Sequence, residues 1–331
     1  MIHPRILYRL TALWGFSEAI LGGIMHALRF PFTGIVVGGF AALVICLLGM
    51  YSDSPKRILQ ATVNVLLIKF LLAPHTPAAA YLAVGVQGLV GFLLFLSKRN
   101  ITISCYAMGI FALVYSAFIK LISTTIIFGM EFWTALDNYF NYVTRQFLGS
   151  DSEISYSIYL VGAYVTLYTV AGIVFGFIAT RLPRWIEESR GMESALFEFE
   201  GHPLPTPVSE NGRKKLLSFP KIVITVAAIT LLIITYSMTG QKSSLFPMLL
   251  RAMIIIVLWI TFVNPVISLI IGRIMKRKAS ERKAYLSSII ELFPKFKRNL
   301  SFALQAVKTG SPSQRVKGFF SRVFYLALFV E

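Results

Sequence analysis

Acidic side chains are scarce in this chain. It carries 15 Asp and Glu against 32 Lys and Arg, and charged residues of both signs fill only 14% of its 331 positions. A soluble domain carries about 25%. With 56% hydrophobic residues and a mean hydropathy of +0.70, that deficit argues against a water-soluble fold. Cysteine is also rare. Cys46 and Cys105 both fall in apolar runs and no Cys-x-x-Cys is present, so neither a disulfide framework nor a thiolate metal centre is indicated. The sequence has no HExxH, no GxSxG, no P-loop and no paired aspartates in its apolar runs. It therefore reads as a non-enzyme with no cofactor and no metal site, since Glu18 and His26 alone do not make one.

What is present is apolar length. Several runs exceed about 18 residues, enough to cross a hydrocarbon core of about 30 Å. The expected fold is an all-α polytopic membrane protein of eight spans, near 10–28, 31–51, 58–73, 78–96, 102–128, 155–180, 220–240 and 245–272. Lipid offers backbone groups no partner, so all are read as helices. Arg5 and Arg9 precede a long first run without a clear cleavage site, which reads as a retained span rather than a signal peptide.

The net charge of +17 would suggest nucleic acid in a soluble protein. Here the basic residues cluster beside spans, so they set orientation and touch anionic lipid instead. Arg5, Arg9, Lys56, Arg57, Lys98, Arg99, Arg181, Arg184, Arg213, Lys214, Lys215 and the C-terminal segment all fall on one side of the membrane if the N-terminus is inside. The stretch 129–154, with Glu131, Asp137, Asp151 and Glu153 against Arg145 alone, falls on the other. The expectation is a multi-pass protein of the cell membrane with both termini cytoplasmic.

Composition divides the chain into four parts. Residues 1–183 form a six-span bundle with short connectors, and 184–217 a polar linker containing "GHPLPTPVSENGRKK". Residues 218–275 hold two further spans, and 276–331 a basic tail with twelve Lys/Arg against three Glu. Leu286, Ile289, Ile290 and Phe293 make one helical stripe, and Phe319, Phe320, Val323, Phe324, Ala327 and Leu328 a second. Two amphipathic helices hinged near 308–313 are expected, covered by lipid or by a soluble partner.

An ionisable group at mid-membrane costs at least ~2.5–3.5 kcal/mol, so it needs a partner or a cavity. Span one holds Glu18 and His26, span three Asn64 and Lys69, span four Gln87, span five Lys120, and span eight Arg251 and Asn264. With the N-terminus inside, the polar groups of the first six spans favour the outer half, and the outward segments add Arg29, His75, Trp133, Asp137 and Asn138. That pattern suits an outward-opening pocket for a small molecule. Its candidate lining is Glu18, His26, Arg29, Asn64, His75, Gln87, Lys120, Trp133 and Asn138. Glu18 is expected to pair with Lys120 or Gln87, and that pairing is either functional or purely structural. Lys69 and Arg251 can instead snorkel to an interface. Gly15, Ala19 and Gly23 form a small-residue ridge at i, i+4, i+8 where another helix can approach, with Glu18, Gly22 and His26 on the next ridge.

Six short-looped spans in about 180 residues, cytoplasmic ends and the ridge on span one resemble the substrate-binding S component of energy-coupling factor (ECF) transporters. The remainder resembles a piece of their T component, whose Ala-Arg-Gly-type signature is echoed by "AVKTG" at 306–310. The resemblance implies that Gly15, Ala19 and Gly23 contact another subunit, and that segments 29–34, 74–81 and 129–154 cap a vitamin-like or metal-type ligand. It also implies that the ATPases are separate chains. Phe319, Phe320 and Phe324 are the candidate partner surface of the tail. Two other readings stand beside the transporter subunit. One is a non-transporting scaffold that recruits protein or anionic lipid through the tail. The other is a membrane enzyme acting on lipid or peptide.

Overall fold

The computed structural model describes residues 4–27, 32–72, 76, 78–148, 154–189, 245–258, 265–266, 269, 279–305 and 311–329. Among them all regular structure is helical. Helix α1 (Pro4–Phe16) runs through a π turn (Ser17–Leu21) into α2 (Gly22–Ala27). Then come α3 (Thr33–Tyr51), α4 (Lys56–Leu72), α5 (Ala78–Leu94), a 3₁₀ turn (Lys98–Asn100), α6 (Ile101–Phe128), α7 (Glu131–Leu148) and α8 (Tyr156–Glu188). The later helices are α9 (Leu245–Leu258), α10 (Ala279–Glu291), α11 (Phe293–Gln305) and α12 (Pro312–Phe329). Three of them, α3, α6 and α8, are long and apolar enough to cross a membrane, and Ala79–Leu94 is a shorter apolar helix. The expected span 220–240 lies outside the described residues, as do linker residues 190–217.

Two compact units emerge, each assembled from separated segments of chain. One comprises Met1–Ser116, Tyr168–Pro207 and Met275–Glu331; the other comprises Ala117–Leu167 and Val208–Ile274. Two of the boundaries fall inside α6 and α8, so chain order and compactness do not coincide.

The core of the first unit is built on α3. Its apolar residues from Ala41 to Leu48 are all buried, as are Trp14 of α1 and Ile58, Leu67 and Ile68 of α4. Helix α3 is hydrophobic all round, as a helix surrounded by others must be. Small residues set the helix spacings. A methyl group on Gly172 would lie 2.7 Å from Ile110 Cα, and one on Gly176 2.7 Å from Tyr106 Cα. The backbones of α6 and α8 therefore touch there, and only glycine permits it. The Phe175 ring of α8 fills the space over Gly39 of α3 in the same way.

Among its described residues the tail forms three helices rather than two. Helix α10 ends at Glu291, and α11 starts at Phe293 with Pro294 in its first turn, where a missing N–H costs nothing. The tail packs against its own chain. Tyr8 meets Tyr285 edge-on, Phe16 contacts Phe293 and Phe296, and Phe40 of α3 stacks on Phe324 of α12 at 5.3 Å. Ser321 and the run from Val323 to Leu328 are buried. At the other end of α12, Lys317 reaches Glu188 at 2.6 Å, which also holds Arg184 at 3.0 Å. The expected cover for Phe324, lipid or a separate subunit, is thus replaced by this chain's own α3.

In the second unit, the stretch expected as an acidic loop is mostly helix α7. Gly129 makes the turn into it with φ +78°, a conformation glycine adopts without strain. Three hydrogen-bonding side chains fasten α7 to the start of α8. Asp137 accepts from the Ser157 amide at 2.6 Å and from its hydroxyl at 2.8 Å. Asn141 accepts from the Ile154 amide and donates to its carbonyl, and Thr144 bonds the Tyr156 hydroxyl.

Candidate functional site

The polar centre of the first unit is built on the π turn. The Gly22 amide donates to the Ser17 carbonyl five residues back, and the Ser17 hydroxyl turns down onto the Trp14 carbonyl at 2.9 Å. Such a bulge inserts one extra residue into the helical register, a feature frequent at functional sites. At about 100° per residue, everything after it is rotated relative to the regular pattern. The small-residue ridge is broken for that reason. Gly15 backs onto Ile68 of α4, Ala19 is half-buried, and Gly23 is exposed, with nothing within 4 Å of a methyl group placed on it.

The same turn carries Glu18. Its carboxylate accepts from Lys69 Nζ of α4 at 2.7 Å, and both side chains are only 6% exposed. Lys69 also approaches the Ala80 carbonyl of α5 at 3.5 Å. The buried carboxylate and ammonium therefore neutralise one another at the meeting of three elements. This corrects the expected pairing: Glu18 faces Lys69, not Lys120 or Gln87. Lys120 is exposed and belongs to the other compact unit. Lys69 is long enough to snorkel, but an unpaired carboxylate one helix away is a stronger attractor than the interface.

Gln87 is buried to 2% exposure, and its Oε1 has no hydrogen-bond partner among the described residues; neither has Nε1 of buried Trp14. Asn64 is half-buried and lies beside Tyr285 of α10. Trp133 donates from Nε1 to Thr125 Oγ1 at 3.0 Å, and Asn138 is exposed. His26 lies in α2, while Arg29 and His75 lie outside the described residues. Of the expected lining, Glu18, Asn64 and Gln87 belong to the first unit and Lys120, Trp133 and Asn138 to the second. In the tail, Phe319 and Phe320 are half-buried and Phe324 is fully buried. Among the described residues no cluster of three or more His, Cys, Asp or Glu could hold a metal ion.

Sequence reasoning missed Lys69 as the partner of Glu18. The signal was the pairing of one acid with few bases in the early spans; the π turn that aims Glu18 at α4 leaves no mark in a 3.6-residue pattern. Comparison with known proteins adds no identity: no family model, no curated protein and no solved structure matches this chain.

Proposed function

We propose that this chain is the solute-binding subunit of a membrane transporter, taking a small vitamin-like or metal-type solute from the outer face. One observation carries the reading: a carboxylate and an ammonium 2.7 Å apart, both buried, held at a π turn of an apolar helix. A buried ion pair is weak evidence for stability, because desolvating two charges offsets their attraction. Ionisable groups at membrane depth mark substrate or ion pathways by default. The Glu18–Lys69 pair satisfies both charges, and a charged or hydrogen-bonding solute that meets both groups can take over their interaction. Gln87 Oε1, without a hydrogen-bond partner among the described residues, supplies a further acceptor in the same unit.

In this reading the chain crosses the cell membrane eight times with both termini cytoplasmic, as its basic residues favour. It carries no nucleotide motif, so ATPase and other membrane subunits are separate partners, and anionic lipid meets the basic tail. The scaffold alternative draws on the tail as a recruiting surface; Phe324, its central anchor, is occupied inside the chain, which leaves that reading less to work with. The test is to purify the protein from native membrane, denature it and identify the released small molecules by mass spectrometry. A stoichiometric solute is expected. Its absence across membranes from several growth media would overturn the reading.

A further inference from the structure

Helix α7 turns Trp133, Asp137, Asn141 and Thr144 toward its own protein and leaves Tyr139 and Phe147 turned away. At 100° per residue, Trp133, Asp137, Asn141 and Thr144 fall on one flank, and each bonds α6, α8 or the residues just before α8. Phe132, Leu136, Tyr139, Phe140, Val143 and Phe147 fall within the neighbouring arc of about 100°. Part of that arc packs inward, Phe132 on Phe128 of α6 and Phe140 on Tyr156 of α8, while Tyr139 is 63% and Phe147 81% exposed. Opposite it lie Glu131, Thr134, Asn138 and Arg145, all exposed, with Glu131 also paired to Arg251 of α9 at 3.4 Å. The helix thus has one fastened flank, one apolar flank and one charged flank, the last two on opposite sides.

Its position in the chain says what covers the apolar flank. Helix α7 starts two residues after the end of α6 and is bonded along its length to the start of α8. Both are membrane-length helices, so α7 lies where they leave the hydrocarbon. The adjoining ends of α6 and α8 expose further apolar residues, Ile122, Ile126, Ile158 and Tyr159, continuous with a lipid-facing surface. In water, an exposed apolar flank of this size promotes aggregation. A helix at the edge of a bilayer, with aromatics on one side and charges on the other, meets acyl chains below and water above.

We propose that α7 is an interfacial helix whose Tyr139–Phe147 flank is seated in lipid at the membrane boundary. It bridges α6 and α8 and fixes the depth at which both emerge. This assignment needs only that α6 and α8 span a membrane and is independent of the transport reading. The test uses the full chain reconstituted in vesicles of phosphatidylcholine and phosphatidylglycerol. Single cysteines at Tyr139→Cys, Phe147→Cys, Thr134→Cys and Asn138→Cys take a fluorescent label; all four sites are exposed, and Cys46 and Cys105 are buried away from the reagent. Quenching by a lipid bearing a nitroxide near its ester group is expected to be several-fold stronger at 139 and 147 than at 134 and 138. Iodide in the water should give the reverse order. Iodide quenching at 139 and 147 equal to that at 138 would place the flank in water and overturn the proposal. So would shielding of 139 and 147 from both quenchers, which would mean protein covers the flank.

Discussion

Removing one member of the Glu18–Lys69 pair should be far worse than removing both. In Lys69→Met the Glu18 carboxylate keeps its 6% exposure and loses its hydrogen-bonded cation. Stranding one charge of a buried pair costs about 3–5 kcal/mol, roughly two to three and a half powers of ten in the folded-to-unfolded ratio at 1.4 kcal/mol per factor of ten. Glu18→Met strands Lys69, which retains only the 3.5 Å approach to the Ala80 carbonyl, so it belongs in the same range. In the double variant E18M/K69M both desolvation costs vanish and two thioether chains of similar length fill the space. Replacing a buried pair by apolar residues is neutral to about 1–4 kcal/mol stabilising. The assay is equilibrium unfolding of the purified protein in mixed micelles, followed by tryptophan fluorescence. A double variant as unstable as Lys69→Met would refute the reasoning, because the pair would then be structural glue. So would a Lys69→Met protein as stable as wild type, because the ammonium would then not be the buried partner.

The close crossing of α6 and α8 gives a second test: Gly172→Ala forces a methyl against Ile110 Cα and should cost about 1–3 kcal/mol as overpacking, while Gly162→Ala, with open space around it, should be tolerated. Equal melting of the two variants would contradict the crossing. On the C-terminal helix, Phe324→Ala should cost about 3–5 kcal/mol through the cavity left against Phe40. Lys317→Ala, removing a solvent-screened ion pair with both side chains at least 40% exposed, should leave the melting temperature nearly unchanged. A Lys317→Ala protein less stable than Phe324→Ala would mean that the tail is held by charge rather than by packing. Finally, Cys46 and Cys105 are both buried. A maleimide should leave the folded protein unmodified and add two labels after denaturation; rapid labelling of the native protein would contradict the α3 and α6 core.

Helix class was readable because lipid enforces it: apolar runs such as 33–51 and 101–128 leave the backbone no other choice, whereas among the described residues three helices, not eight, are long and apolar enough to span. The tail stripes Leu286–Phe293 and Phe319–Leu328 were readable from 3.6-residue periodicity, but what covers them was not. An apolar stripe looks the same whether it meets acyl chains or Phe40. Helix α7 was overlooked because its acids drew attention to a loop, although Phe132, Leu136, Tyr139, Phe140, Val143 and Phe147 already traced a helical face. At the site, Glu18 stood out as a carboxylate in an apolar run, and its partner did not. Depth counted from span ends assigned Lys69 to the interface, and an unsignalled π turn at Ser17–Leu21 aims Glu18 at α4 instead. The same turn dissolves the Gly15–Ala19–Gly23 ridge, because a spacing of four residues marks one face only while the helix stays regular.

The most direct test of the transport reading compares wild type with E18M/K69M once the double variant is shown to be folded. Both proteins, in lipid nanodiscs, are incubated with the same small-molecule extract, washed, and denatured for mass spectrometry. The account predicts a solute retained by wild type and lost from a double variant of equal or greater stability. Retention of the same solute by both proteins in equal amount would contradict it, because binding would then need neither charge.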